Sequence, residues 1–442
     1  MARRLGKVAW LGVLIVAGCS GGSLFGNSDD GPKLEGERIS VLDLESTLQP
    51  DSEIAGEQVQ LPEPYVNQNW SQAGGTASHA MYHLALPGDL DEAWRADTGT
   101  GVRDSQPLLA QPVVADARLF TMGAGQTVRA FDTANGERLW SRALNTGGND
   151  DGAFGGGLAV ADGRVFATTG FGAIFALDAD SGEVLWRHET RTPIRGAPTV
   201  VQDKLFAVNI VNQTLALSLD AGEALWTHQG IEEQAGLIGS ASPAASESSV
   251  VSAYSSGQLF ALLNDNGRVL WNDGLAGISR TSRVSDMADI RGLPVLDRGR
   301  VVAASNSGRM VAVDLRSGAR AWEVELASTE TPWAGGDYFY VVTPEARVAA
   351  IRRRDGKIRW VTEIAAYEDM TEKTGPIYWH GPVLAGDRLI LAGSHGTAVS
   401  LSPYTGEFLG RTELPGPPAV PPLVADETLY FLTEDATLLA FR

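Results

Sequence analysis

Short apolar stretches recur along most of this chain, set apart by turns rich in Gly, Asp and Ser. One stretch, Ala197-Pro198-Thr199-Val200, predicts a first strand, A. After a turn, Lys204-Leu205-Phe206-Ala207-Val208 predicts a second, B. A third strand, C, ends at a turn such as Asp178-Ala179-Asp180-Ser181-Gly182, and a fourth, D, carries a Trp. The same order returns again and again. A Gly stands four residues before a Trp at Gly136/Trp140, Gly182/Trp186, Gly222/Trp226, Gly267/Trp271, Gly318/Trp322 and Gly356/Trp360, and a seventh copy has Gly406 but Gly410 in place of the Trp. The glycines are on average 45 residues apart. Four short strands per unit of that length is the pattern of a β-propeller blade.

The motif has a physical logic. Asp or Asn before the turn hydrogen-bonds turn backbone, and Gly supplies the positive φ that closes the C–D hairpin. Ten residues before each Trp stands Ala130, Ala176, Ala216, Ala261, Ala312 or Ala350. A small residue at a fixed offset from a large one suggests that adjacent sheets interlock, since a single blade has no core of its own. The end of the chain sets the count. Residues 419–442 supply A, B and C strands and stop, whereas Asp91-Glu92-Ala93-Trp94 is a D strand without a blade. Joining them closes an all-β, eight-bladed propeller of four-stranded antiparallel blades and removes an exposed edge.

The chain before the repeats reads differently. Arg3, Arg4 and Lys7 precede an apolar run from Val8 to Ala17, too short to span a bilayer and suited to a secretory signal over 1–18. Val16-Ala17-Gly18-Cys19 resembles a lipobox, which implies lipidation of Cys19 and, with Ser20 rather than Asp after it, sorting to the outer membrane. The alternative is an ordinary thiol. Cys19 is the only cysteine, so no disulfide can form within the chain. Residues 19–75 are poor in periodicity and read as a lipidated N-terminus and flexible tether, leaving 76–442 as the propeller. Arg38-Ile39-Ser40-Val41-Leu42 reads as a stretch that could become a strand on contact.

Charge narrows the partners. The formal net charge is −19, and loss of Arg3, Arg4 and Lys7 with the signal takes it to −22, which speaks against nucleic acid and anionic membrane surfaces. The six histidines include no His-x-His or His-Glu-x-x-His spacing, so no metal site is expected. Asp178-x-Asp180-x-Gly182 lacks the twelfth-position Glu of a calcium loop, and its degenerate recurrence says hairpin turn. Gly155-Gly156-Gly157 precedes a strand rather than a helix and is no phosphate cradle.

The repeat Ala-x-Asp-x-x-[Thr/Ser/Asn]-Gly-x-x-x-Trp, seen as Ala176 to Trp186, resembles that of the quinoprotein-like propellers. With the lipobox, it resembles the BamB family, lipoproteins of the machinery that folds β-barrels into the outer membrane. The resemblance implies a non-catalytic, periplasm-facing scaffold without cofactor. Its partners would be a BamA-like barrel-inserting subunit and unfolded outer-membrane proteins. Ile194-Arg195-Gly196-Ala197-Pro198 is similar to the family segment that contacts that subunit, with Thr192 where the family has a leucine. The segment Arg283-Val284-Ser285-Asp286-Met287-Ala288-Asp289 resembles the family's acidic segment, one residue longer between Asp286 and Asp289. The implied partner-binding residues are Ile194, Arg195, Arg283, Asp286 and Asp289. Solvated loop charges are the bland alternative for both arginines. A different ligand-binding or sensory propeller, or a quinone-dependent dehydrogenase, remains the functional alternative, although the dehydrogenases' adjacent-cysteine disulfide cannot form here.

If Cys19 carries the anchor, Cys19→Ser abolishes metabolic labelling with palmitate and leaves the signal uncut by the lipoprotein peptidase. Normal labelling of that variant removes the lipoprotein assignment.

Overall fold

The computed structural model describes residues 48–103, 106–144, 152–233, 236–276 and 288–442. Among them, eight four-stranded antiparallel sheets follow one another around a ring, with a two-stranded hairpin (Tyr367–Asp369 with Thr374–Pro376) between blades 6 and 7. Blades 1 to 7 span 113–143, 156–189, 199–229, 244–274, 295–325, 333–363 and 379–413. Blade 8 is the composite that the sequence predicts. Glu92–Asp97 pairs antiparallel with Thr437–Phe441, and Trp94 lies opposite Ala440.

The Trp repeat holds each blade to the next. The indole N–H of Trp140 donates to the carbonyl of Ala179, in the C–D turn of the following blade, at 3.0 Å. Trp94, Trp186, Trp226, Trp271, Trp322 and Trp360 make the equivalent bond to Thr133, Leu219, Asn264, Leu315, Arg353 and Pro403, at 2.7 to 3.2 Å. Each turn glycine lies against that same indole. A methyl built on Gly222, whose φ is +66°, would lie 2.5 Å from the ring of Trp186. The glycine is thus required twice, by its backbone and by its neighbour.

The fixed offset of the alanines suggests interlocking between sheets, and here the structure corrects the reading. Ala130 is the cross-strand partner of Trp140 in the same blade, and Ala176, Ala216, Ala261, Ala312 and Ala350 face their own Trp likewise. Phe120 lies one strand further in, opposite Ala130, and its ring is 5.9 Å from that of Trp140. The small residue lets the indole lie over strand C towards strand B. Blade-to-blade locking belongs to the turn.

Gly410 breaks the Trp pattern for a reason now visible. The blade after it is the composite, whose C strand ends at Phe441 and whose D strand comes from residues 92–97. It has no covalent C–D turn to receive an indole.

The tether expected over 19–75 is also corrected. Residues 48–75 belong to the folded body: Ile54, Val59, Asn67, Trp70 and Gln72 are buried. The segment first runs along blade 6, where the Asp51 N–H donates to the Ile358 carbonyl, the Asp51 carboxylate accepts from the Ile358 N–H, and Arg352 donates to Glu57 at 2.6 Å. It then enters the ring and passes the inner A strands in turn. Asn67 bonds Val424 and Asp426 of blade 8, and Trp70 exchanges two 2.8 Å backbone bonds with Val114 of blade 1. Ser71 accepts from Val160 of blade 2, and the Gln72 side chain exchanges two bonds with Val200 of blade 3. Ala77 accepts from Ala245 of blade 4, Ser78 from Leu296 of blade 5 and Tyr82 from the Trp333 indole of blade 6. Leu84 then bonds Leu384 and Gly386 of blade 7. Residues 67–84 therefore meet the inner edge of all eight blades in ring order. Unpaired strand edges are thereby satisfied from inside the channel. The segment looks like linker in sequence because it bonds each blade through one or two residues and forms no strand of its own.

Gly222→Ala is expected to lower stability by about 2 kcal/mol, through positive-φ strain and the clash with Trp186. Gly410→Ala, which meets nothing within 4 Å, should change it by less than about 0.5 kcal/mol. Equal urea midpoints for the two variants would contradict this account of the turn.

Candidate functional site

Among the described residues, stretches leading from D strands into the A strands of blades 1 and 3 to 8 come together on one face. At the axis they surround a funnel of 150 Å³, floored by Trp70, Gly74 and His79 of the inner segment. Trp70 stacks on Trp333 with ring centroids 6.1 Å apart. Arg195, Arg291 and Glu330 line the wall.

The sequence-predicted residues divide sharply on this face. Arg195 reaches the funnel, is half-buried, and lies with its guanidinium carbon 4.6 Å from the centroid of the Phe154 ring. Ile194, implied as an apolar contact, is fully buried. Its N–H donates to Thr169, and its side chain packs with Phe166, Leu205 and Leu217. Asp289, implied as a contact carboxylate, is buried and accepts from the Leu237 N–H at 2.7 Å. Burial raises its pKa, against the lowering effects of that hydrogen bond and of Arg291 nearby. Both are corrections: these side chains build the loops and leave no surface to a partner. Arg283 and Asp286 lie outside the described residues, as does Cys19.

Arg291 is a residue that the sequence reading misses, although the sequence carries its signal. Ile290-Arg291-Gly292-Leu293-Pro294 repeats the pattern of Ile194-Arg195-Gly196-Ala197-Pro198, one segment leading into blade 5 and the other into blade 3. The structure explains each position. Ile194 and Ile290 are buried, and Gly196 and Gly292 press against the backbone of the next loop, at Ser240 and Glu330. Both arginines are left facing the funnel.

His79 is the other residue that sequence reasoning misses. Its Nδ1 donates to the Pro294 carbonyl at 2.7 Å, while Nε2 is buried without a protein partner. Burial pushes its pKa down to about 4, so the ring is neutral at pH 7 and Nε2 is a hydrogen-bond acceptor. Glu330, by contrast, is engaged: the Gly381 N–H donates to it at 3.2 Å and His380 Nδ1 lies 3.4 Å away. Among the described residues no three His, Cys, Asp or Glu side chains are grouped to hold a metal ion.

An eight-bladed propeller locked by Trp-to-turn bonds, with its loops gathered round an axial funnel, defines the quinoprotein-like class. Within it, the family described as "Outer membrane protein assembly factor BamB" matches residues 89–150, 124–362 and 368–442. The chain belongs to that family. Curated relatives with the same description include those of Alkalilimnicola ehrlichii, 28% identical over 47% of this chain and 52% of the relative, and Escherichia coli K12, 25% identical over 46% and 50%. The chain thus spans about half the length of the curated relatives it matches. Among solved structures, BamB from Moraxella catarrhalis is similar with a TM-score of 0.66 at 19% identity, covering 80% of this chain and 100% of that one. The quinohemoprotein alcohol dehydrogenase of Comamonas testosteroni reaches 0.63 at 14% identity, covering 85% and 80%. These two likenesses speak to fold.

The depressed pKa of His79 has a signed consequence. Above its ordinary value of 6.5 the ring is neutral folded or unfolded, and the group adds no pH dependence. As pH falls from 6.5 towards 4, the unfolded chain takes up the proton first and stability drops, by up to about 3 kcal/mol. His79→Asn, which keeps a residue tolerant of the φ of +59°, should flatten that part of the pH–stability curve. Parallel curves for parent and variant from pH 7 to 4.5 would refute it.

Proposed function

We propose that this chain is a non-catalytic outer-membrane protein assembly factor, anchored by acyl chains on Cys19 and facing the periplasm. Its D–A face docks a BamA-like barrel-inserting subunit. Family membership carries this reading, and the D–A face gives it a surface. Arg195 is the implied contact residue that lies open there, and a half-buried arginine stacked on an aromatic ring suits a binding hot spot. Arg283 and Asp286 complete the proposed contact from the loop after blade 4. Ile194 and Asp289 support it from beneath by fixing the loop conformations. The non-catalytic reading is supported by the family's description as an assembly factor.

Arg195→Glu and Asp286→Lys should each weaken binding to the partner's periplasmic domains roughly thirtyfold or more, with unchanged thermal midpoints. The control is Arg411→Glu, on the exposed D strand of blade 7, whose side chain is 72% exposed. It should bind like the parent. Titration calorimetry of purified proteins reads this out. Parent-like binding by both loop variants would show that this surface is not the docking site.

A further inference from the structure

Beside Arg195, which the docking reading also uses, the funnel holds chemistry that docking to a barrel-inserting subunit leaves unused. Two guanidiniums, Arg195 and Arg291, are set by the same five-residue pattern two blades apart and line the same cavity. Among the described residues neither donates a hydrogen bond to the protein or forms an ion pair. Arg195 lies over the Phe154 ring and Arg291 is near the buried Asp289, so neither guanidinium has its N–H groups committed to a hydrogen bond in the protein. The same cavity is lined by His79, whose Nε2 is buried and without a protein partner. The remaining wall is apolar, with Trp70, Trp333, Leu293, Val383 and Pro382. The carboxylate in the funnel, Glu330, already receives the Gly381 N–H and faces His380.

A ligand that satisfies all of this needs an anionic group, an N–H donor close to it and an apolar body. We propose that the funnel binds the carboxy-terminal end of an extended polypeptide whose last side chain is apolar. The terminal carboxylate pairs with Arg195 and Arg291, in the forked geometry that suits guanidinium and carboxylate. The amide N–H of the last residue donates to His79 Nε2, which is an acceptor because Nδ1 is committed to Pro294. The last side chain fills the apolar part, and a cavity of 150 Å³ is the size that takes up one aromatic ring. A simple anion satisfies the arginines but leaves His79 and the apolar wall unused. This proposal stands apart from the docking surface, since Arg291, His79 and the floor play no part in that reading.

The probe is a fluorescein-labelled pentapeptide, Gly-Ser-Gly-Ser-Phe with a free carboxylate, titrated by anisotropy against the full-length folded protein. The acid should bind at least about tenfold more tightly than the same peptide amidated at its C-terminus, as loss of a charge-assisted pair implies. Arg291→Ala should lose a similar factor for the acid, Arg291→Lys should recover part of it, and binding of the barrel-inserting subunit to both should be unchanged. Equal binding of acid and amide, or parent-like binding by Arg291→Ala, overturns the proposal. Displacement of the peptide by equimolar acetate also overturns it and identifies a small-anion site. Loss of subunit binding in Arg291→Ala would instead merge the funnel with the docking surface and overturn their separation.

Discussion

The bond from an indole N–H to a turn carbonyl one blade away is the interaction on which this molecule depends. A four-stranded sheet has two apolar faces and no core, so each blade is stable only when covered. The Trp does three things at once. It lies over its own alanine and, in five blades, against a B-strand aromatic; it packs on the turn glycine of the next blade; and it satisfies a backbone carbonyl there. Aromatic burial supplies the energy, while the hydrogen bond and the glycine contact supply the register. Because the same geometry recurs from Trp94 to Trp360, the turns of the ring are set on the side away from the D–A loops. The opposite face is thereby left free to vary and to bind.

Much of this was legible in the sequence because it is periodic. The Gly–Trp spacing announced the blades, and an orphan D strand around Trp94 announced the closure. What could not be read was aperiodic. Residues 48–75 have the composition of a linker because their bonding partners are scattered over blades 6, 8, 1, 2 and 3, so that no local pattern is left. The alanine offset was visible, but a fixed spacing along one chain cannot say whether two residues meet across a sheet or between sheets.

The candidate site was legible in chemistry and misread in direction. An isoleucine beside an arginine in a loop looks like an exposed hot spot. The loop dips inward at Ile194 and Ile290, turns on a glycine pressed against the next loop, and lifts only the arginine to the surface. Asp289 has the same history: a carboxylate in a loop reads as a contact, yet it ties the Leu237 backbone from within. The repeat-within-a-repeat, Ile-Arg-Gly-x-Pro, was present in the chain all along. Its meaning needed the ring, which turns a separation along the sequence into two walls of one funnel.

The inner segment also constrains what this propeller can become. Rings built only of repeats can gain or lose a unit by duplication, since each blade needs nothing but neighbours. Here every blade also has its own address on residues 67–84, from Asn67 for blade 8 round to Leu84 for blade 7. A ninth blade would find no residue assigned to it, and a ring of seven would leave one address unread. The count of eight is written twice, once in the blades and once in the thread that runs inside them.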